Sequence, residues 1–269
     1  MVKGMLFPWG VRDCSAQRRN QKVLEETPPI GVPSNILEEL ENSAVELAKS
    51  VRYRSAGTVE FIYDGEREKF YFLEVNTRLQ VEHGITELVK GIDLVEWMIL
   101  LASGDSSMFD IPPTPPQGHA AEARIYAENP AKNFEPCSGL ITRVVFPDDI
   151  RCDTWIRDGT EVSPYYDPLL AKIMVHGTSR QETIKSLARA LSKTEIHGIQ
   201  TNLEYLEEIV GKEWIGETPL HTKSLEAMSV PSKTIEVLRS GTQTTVQDFP
   251  GRLGSVSYTH LRAHETSLH

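Results

Sequence analysis

Apolar residues recur along this chain with a helical period in some segments and an alternating period in others. Over residues 34–51 they are spaced by three and four positions, which predicts an amphipathic helix with Ser34 as its N-cap. The same spacing predicts a helix capped by Asp93, and two more that follow capping signals at Ser179 and Thr201. We expect these helices to pack their apolar faces into a core.

Two shorter segments have the composition of β-strands that pair as a hairpin. Residues 58–63 and 70–73 are rich in aromatic and β-branched residues, and a charged turn separates them. If the loop holds the five residues 64–68, Glu60 pairs with Phe72 in the neighbouring strand.

The second of these strands continues into polar residues that suit metal binding. Alternation puts two aromatic and two oxygen-bearing side chains on one face, namely Phe70, Phe72, Glu74 and Asn76. With Glu60 diagonal to Glu74, two carboxylates and an amide oxygen would converge. Such oxygen ligands are typical of a site for a hard cation such as Mg²⁺ that carries the phosphates of a nucleotide.

Three further polar residues follow within five positions. Arg78 carries a fixed positive charge, Gln80 an amide, and Glu82 a carboxylate that can act as a base. The simplest interpretation of each residue taken alone is a solvated charge on an amphipathic edge strand. Taken together, the residues favour a catalytic site beside the metal.

Composition and charge are those of a soluble globular protein. Of the 269 residues, 39% are hydrophobic and 25% charged, and the net charge of −10 disfavours nucleic acid or an anionic membrane as a partner. No apolar run reaches the ~18 residues that a membrane span needs. Cys14, Cys137 and Cys152 are too few and too far apart for a disulfide framework, so we expect reduced thiols in a cytoplasmic protein.

Residues 74–83 form the most specific pattern in the chain. Their sequence, EVNTRLQVEH, resembles the metal- and bicarbonate-binding segment of the biotin carboxylases, a branch of the ATP-grasp ligases. The resemblance extends with few breaks from about Arg12 to about Leu225.

The resemblance implies an α+β fold built from parts of three domains. Residues 1–111 correspond to the C-terminal part of an ATP-grasp domain, 119–228 to a biotin carboxylase C-terminal domain, and 234–254 to the first strands of a β-rich carboxyltransferase domain. Four prolines within five positions indicate that 112–118 is an extended linker. Residues 255–269 have no strand period and resemble a non-native tail.

The resemblance also implies roles for individual side chains. It implies ATP contacts at Gln17, Asn20 and Lys22, metal ligands for Mg²⁺ or Mn²⁺ at Glu60, Glu74 and Asn76, and bicarbonate binding by Arg78, Gln80 and the backbone of Val81. The catalytic residues that it implies are Glu82, Arg78 and Arg124. Glu82 would be the general base on bicarbonate, and Arg124 would stabilise the enolate of biotin. Without the resemblance, residues 17–22 are a solvated charge run and Arg124 is one half of a buried ion pair.

The implied reaction is the ATP-dependent carboxylation of biotin with bicarbonate. The sequence has no Met-Lys-Met biotinylation motif, so we expect biotin to arrive on a carrier domain outside this sequence or on another protein. Asn20, Gly84 and residues 235–248 are typical of the urea carboxylase branch, which implies urea as the final acceptor and allophanate as the product. Whether the protein forms a homo-oligomer stays open.

Two alternatives also stay open. One keeps the chemistry and changes the acceptor, as in the biotin carboxylases of acetyl-CoA, propionyl-CoA or pyruvate carboxylases. The other is a non-catalytic interaction module, because the glycine-rich lid that closes over the nucleotide in this family is not present in the sequence. The chain therefore resembles an internal fragment, and we expect no ATP hydrolysis from it alone.

Overall fold

The structure is a computed structural model that describes residues 6–110, 114–226, 228, 234–239 and 242–247. The expected tail at 255–269 lies outside these residues, as does part of the expected linker at 112–118.

The helices agree with the apolar spacing of the sequence, with one correction and two additions. Asp93 caps its helix as predicted, because its side chain accepts a hydrogen bond from the Glu96 amide. The prediction for Ser34 is wrong, since Pro33 occupies the N-cap and no side chain caps that helix. The helices that begin at His83 and at Glu213 were not predicted. Among the helices of the described ranges, none combines the length and the apolar character that crossing a membrane requires. These helices are α1 (Ser34–Ser50), α2 (His83–Lys90), α3 (Leu94–Ser103), α4 (Arg180–Lys193), α5 (Leu203–Val210) and α6 (Glu213–Glu217).

The described strands form one larger sheet and several pairs. In chain order they are β1 (Asp13–Arg18), β2 (Gln21–Thr27), β3 (Thr58–Asp64), β4 (Lys69–Asn76), β5 (His119–Tyr126), β6 (Glu128–Asn129), β7 (Glu135–Pro136), β8 (Gly139–Leu140), β9 (Arg143–Val145), β10 (Arg151–Thr154), β11 (Glu161–Val162), β12 (Leu169–Gly177), β13 (Glu195–His197), β14 (Thr234–Arg239) and β15 (Thr242–Gln247). The larger sheet has the order β1-β2-β5-β12-β10, and the pairs are β3–β4, β6–β7, β8–β11, β9–β13 and β14–β15. Between β1 and β2, Arg19 and Asn20 both have a positive φ, as a tight two-residue hairpin turn requires.

Two compact units interleave along the chain. The first comprises Met1–Ala123, Met174–Ala188 and Val210–Glu226, and the second comprises Arg124–Ile173, Arg189–Ile209 and Ala227–His269. A buried cluster in the first unit consists of Ile85, Val89, Ala120 and Met174. Buried side chains of the second unit include Ile125, Ile141, Leu170, Leu206 and Ile209.

The β3–β4 hairpin has a shorter loop than predicted. Its strands pair as far as Asp64 and Lys69, which leaves four residues for the turn. The Asp64 side chain stabilises this turn by accepting hydrogen bonds from the amides of Glu66 and Arg67, at 3.1 and 3.2 Å. The expected five-residue loop is therefore wrong.

A β-bulge at Leu73 decides which side chains share a face of this hairpin. Phe72 pairs with Phe61, but the next pair is Glu74 with Glu60, so the register skips Leu73. The expected pairing of Glu60 with Phe72 is therefore wrong. Because paired residues share a face and successive residues alternate, the aromatic pair and the glutamate pair lie on opposite faces.

The two faces of the hairpin consequently have different chemistry. On the aromatic face, the Phe61 ring packs edge-on against Phe70 and Phe72, with centroid distances of 5.4 and 6.4 Å. The expected grouping of these aromatic residues with Glu74 and Asn76 is wrong for the same reason as the pairing. We call the opposite face, which carries Glu74 and Asn76, the carboxylate face.

The predicted strand pair near the C-terminus is confirmed. β14 and β15 are antiparallel, and their register runs from Thr234 opposite Gln247 to Arg239 opposite Thr242. The assignment of these strands to a carboxyltransferase domain stays a prediction.

Candidate active site

Glu60 on β3 is the centre of a polar cluster on the carboxylate face. Its Oε1 accepts hydrogen bonds from Gln80 Nε2 at 2.6 Å, Asn76 Nδ2 at 3.1 Å and Lys22 Nζ at 3.2 Å. Lys22 comes from β2, Asn76 from the end of β4, and Gln80 from the loop that follows β4. Three separate segments thus converge on one carboxylate.

Glu74 and Glu60 form a pair of carboxylates that share one amide. Asn76 Nδ2 donates to Glu74 Oε1 at 2.9 Å as well as to Glu60, and the register places the two glutamates directly opposite each other. Carboxylate and amide oxygens are ligands that Mg²⁺ accepts, so these residues fit the predicted metal. Within the described residues, no group of three or more His, Cys, Asp or Glu side chains could hold a metal by itself. A metal here would therefore take further oxygen ligands from a nucleotide and from water.

Glu82 is a buried carboxylate held by a lysine. The residue is 2% exposed, and its Oε1 accepts hydrogen bonds from Lys22 Nζ at 2.9 Å and from Cys14 Sγ at 3.6 Å. Lys22 therefore bridges Glu82 and Glu60. Glu60 is one of the predicted metal ligands.

Both donors to Glu82 keep their protons at neutral pH. Burial alone would lower the pKa of Lys22, but the neighbouring carboxylates, with a hydrogen bond to Glu82 and a further charge on Glu60, outweigh burial and raise that pKa. Burial raises the pKa of the Cys14 thiol, and the carboxylates of Glu25 and Glu82 add to the effect. Cys14 is therefore a thiol that donates to Glu82.

Arg12 joins the hairpin to helix α2. Its Nη1 donates to Thr86 Oγ1 at 2.9 Å, and its Nη2 donates to Thr58 Oγ1 at 3.2 Å. Because Thr58 lies opposite Asn76, this bridge holds the strand ends that carry the carboxylate cluster. Arg12 and Cys14 were not predicted as site residues. Their hydrogen-bond partners are 46 to 74 residues away in sequence. A repeating pattern within one helix or strand cannot reveal such contacts.

Six of the predicted site residues belong to this cluster: Lys22, Glu60, Glu74, Asn76, Gln80 and Glu82. Three others have different surroundings. Gln17 donates from Nε2 to the Cys14 carbonyl at 2.9 Å, and Asn20 is exposed in the hairpin turn between β1 and β2. Arg78 is exposed, and its Nη1 donates to the neighbouring Leu79 carbonyl at 3.2 Å.

Arg124 lies on β5 and belongs to the second unit. Its side chain is buried, and its carbonyl oxygen accepts a hydrogen bond from Asn202 Nδ2 at 3.0 Å. Within its own unit, Arg124 is therefore held through its backbone by a buried polar side chain.

Comparison with known proteins finds two family models along the chain. The family model "Carbamoyl-phosphate synthase L chain, ATP binding domain" matches residues 5–108, and "Biotin carboxylase C-terminal domain" matches residues 122–227. The urea amidolyase of Saccharomyces cerevisiae is 49% identical over 251 residues, which cover 93% of this chain. The chain belongs to the biotin carboxylase family. It spans 14% of the length of the yeast urea amidolyase.

Solved structures of biotin carboxylases share the fold of this chain. The crystal structure of Kluyveromyces lactis urea carboxylase matches with a TM-score of 0.82 and 49% identity, covering 91% of this chain and 22% of that one. The biotin carboxylase domain of Hydrogenobacter thermophilus 2-oxoglutarate carboxylase matches with a TM-score of 0.76 and 38% identity. That match covers 81% of this chain and 48% of the other, which was solved as a dimer with MgADP, ADP and bicarbonate.

Proposed function

We propose that this biotin carboxylase chain uses ATP, Mg²⁺ and bicarbonate to carboxylate biotin, as the first half-reaction of a urea carboxylase. The observation that carries the proposal is the Lys22 bridge. One ammonium links Glu82, the proposed general base, to Glu60 on the metal side of the cluster, at 2.9 and 3.2 Å. A base and a phosphate-binding metal are the two groups that activation of bicarbonate by ATP requires.

Glu60, Glu74 and Asn76 would hold the metal. When bound, Mg²⁺ neutralises negative charge on the phosphates during transfer. The shared hydrogen bonds of Asn76 keep the two carboxylates together on one face of the hairpin.

Glu82 accepts the proton of bicarbonate. The resulting oxyanion attacks the γ-phosphorus of ATP as the bond to ADP breaks, which gives carboxyphosphate and ADP. Lys22 remains protonated throughout and keeps Glu82 ionised before the transfer. Arg78, Gln80 and the backbone of Val81 would bind bicarbonate.

Carboxyphosphate then breaks down to CO₂ and phosphate, and the phosphate takes the proton from N1′ of biotin. The deprotonated nitrogen attacks CO₂, which forms carboxybiotin. Arg124 would stabilise the negative charge on the ureido oxygen during this step. Gln17 and Asn20, together with Lys22, would contact ATP.

Urea is proposed as the final acceptor, with biotin supplied on a carrier domain. Support comes from the 49% identity to a urea amidolyase and to a urea carboxylase over more than nine tenths of the chain. We also propose that residues 1–111 and 119–228 belong to separate domains joined at 112–118, and that 234–254 begin a carboxyltransferase domain. A dimer, as reported for the 2-oxoglutarate carboxylase domain, is the proposed assembly.

The test is ADP release by the complete natural protein that carries this sequence. With ATP, Mg²⁺ and bicarbonate present, we expect added urea to accelerate ADP release and added acetyl-CoA or propionyl-CoA to have no effect. Acceleration by an acyl-CoA alone would reject urea as the acceptor. If ADP release does not depend on bicarbonate with any acceptor, the carboxylase activity itself is rejected.

A further inference from the structure

Asn202 is a buried polar residue to which the chemistry above assigns no role. It precedes helix α5 in the second unit and is 0% exposed. Its side-chain Oδ1 accepts a hydrogen bond from the Tyr126 amide at 2.8 Å, and its Nδ2 donates to the Arg124 carbonyl at 3.0 Å. Its own backbone amide donates to the Tyr126 carbonyl at 3.1 Å. One asparagine thus makes three hydrogen bonds to the strand segment that carries Arg124.

These three bonds imitate the pairing of a neighbouring strand. A side-chain amide has the donor and acceptor of a peptide group, so Asn202 satisfies the Arg124 carbonyl and both polar groups of Tyr126. The bond to the Arg124 carbonyl fixes the peptide plane next to the Arg124 Cα. The direction in which the Arg124 side chain leaves the strand depends on that plane.

Asn202 is itself anchored in the second unit. Its carbonyl accepts the amide of Leu206 at 3.0 Å in the first turn of α5. In the same helix, the Tyr205 ring packs edge-on against Phe134, with a centroid distance of 4.9 Å. The asparagine therefore connects a packed helix to the backbone of Arg124.

We propose that Asn202 is a positioning residue for the carboxylation of biotin, acting through the backbone of Arg124. The proposal rests on the function assigned to Arg124 above. Because Arg124 stabilises charge on biotin and takes no part in the attack of bicarbonate on ATP, loss of Asn202 affects the second step alone. A purely structural role would weaken both steps together.

The test uses Asn202→Asp and Asn202→Ala in the complete natural protein. Asn202→Asp has nearly the same shape and keeps an acceptor for the Tyr126 amide, but its carboxylate has no N–H for the Arg124 carbonyl. Two rates are measured on each variant. One is bicarbonate-dependent ADP release without biotin, and the other is carboxybiotin formation with free biotin.

The matched control is Asn129→Ala. Asn129 is a buried asparagine of the same unit whose Oδ1 accepts hydrogen bonds from the amides of Ala131 and Lys132, at 2.9 and 3.3 Å. It stabilises a local turn instead of the Arg124 strand. A loss of stability common to buried asparagines would therefore appear in this variant as well.

We expect both Asn202 variants to lower carboxybiotin formation by about tenfold or more, since small misplacements of catalytic groups have effects of this order. In these variants, ADP release without biotin should stay near the wild-type rate. Asn129→Ala should not lower carboxybiotin formation more than it lowers ADP release. If the Asn202 variants lower both rates in proportion, or neither, the positioning role is rejected.

Arg124→Ala distinguishes this failure from failure of the proposed function. If Arg124→Ala abolishes carboxybiotin formation while the Asn202 variants do not reduce it, the positioning role alone is wrong. If Arg124→Ala leaves carboxybiotin formation intact, the role of Arg124 and the inference about Asn202 are both rejected.

Discussion

At the scale of single residues, the sharing of Lys22 between two carboxylates sets the chemistry of the cluster. The Glu82 side chain is 3% exposed and Lys22 is 18% exposed, so water screens this pair less than a surface pair. A buried carboxylate without its cation would favour the protonated form, which cannot act as a base. Lys22 therefore supports Glu82 through charge as well as through the hydrogen bond.

A second group of ionisable residues is predicted to make stability depend on pH. Burial lowers the pKa of His119, and the positive charges of Arg180 and His176 lower it further. Both oxygens of Glu26 accept hydrogen bonds from Arg180, which hold the guanidinium in place. As the pH falls below the ordinary histidine value, the unfolded chain binds the proton before the folded protein does. Stability is therefore lost as the pH falls through the lowered pKa of His119.

His119→Gln should reduce this pH dependence. The melting temperature of the wild type should fall more steeply between pH 7 and pH 5 than that of the variant, because glutamine does not titrate. His221→Gln, which removes an exposed histidine of the same unit, serves as the control and should follow the wild type. Parallel curves for wild type and His119→Gln would contradict the prediction.

At the scale of elements, the bulge in β4 determines what the hairpin presents. In a regular ladder, alternation would put Phe72 and Glu74 on the same face, as the sequence pattern suggested. The extra residue Leu73 separates them, so the aromatic rings pack with Phe61 and Glu74 joins Glu60. The bulge thus concentrates acidic side chains on one face.

Deleting single residues from β4 tests the role of the bulge. Deletion of Leu73 should leave a regular ladder with Glu60 still opposite Glu74, so Mn²⁺ binding in the presence of ADP should be retained. Deletion of Val75 should move Asn76 to the aromatic face and weaken Mn²⁺ binding. Electron paramagnetic resonance of bound Mn²⁺ measures this without reference to activity.

Glu60→Gln is the positive control for that measurement. Removing a proposed ligand should weaken the affinity for Mn²⁺ by about tenfold or more. Losses of this size are typical even for residues that only contact a metal ligand. Equal Mn²⁺ binding by the two deletion variants would reject the assignment of faces. Unchanged binding by Glu60→Gln would reject the metal site.

The spacing of apolar residues predicted where helices and strands lie better than it predicted the register in which the strands pair. The helices α1 and α3 and the strands β3 and β4 follow from three-to-four spacing and from alternation, which act within one element. The register of β3 and β4 depends on how Asp64 closes the turn and on where the strand accommodates Leu73. Neither follows from alternation alone.

The site was predictable where its residues lie close together in sequence. Glu74, Asn76, Gln80 and Glu82 fall within nine positions, and a single motif identified them. The contacts of Lys22, Cys14 and Arg12 cross 38 to 74 residues and depend on the tertiary fold. The roles given to Gln17, Asn20, Arg78 and Arg124 stay predictions.

At the scale of the whole molecule, an acidic chain contains a carboxylate cluster with two cations beside it. The net charge is −10, yet Lys22 and Arg12 stand beside the carboxylate cluster with their charges directed at specific partners. Long-range attraction would not bring ATP to such a chain, so binding depends on the local metal and cations. This is why a metal site on the carboxylate face is central to the proposed reaction.

Transfer of oxygen from bicarbonate to phosphate tests the central claim most directly. The complete natural protein is supplied with ATP, Mg²⁺, biotin and ¹⁸O-labelled bicarbonate, and the released phosphate is analysed by mass spectrometry. If a bicarbonate oxygen attacks the γ-phosphorus, each phosphate carries one ¹⁸O atom. Glu82→Gln should lower the rate by about 10²–10⁴-fold, as expected for loss of a general base, whereas the exposed Glu46→Gln should match the wild type. ADP release with unlabelled phosphate would contradict the proposed mechanism.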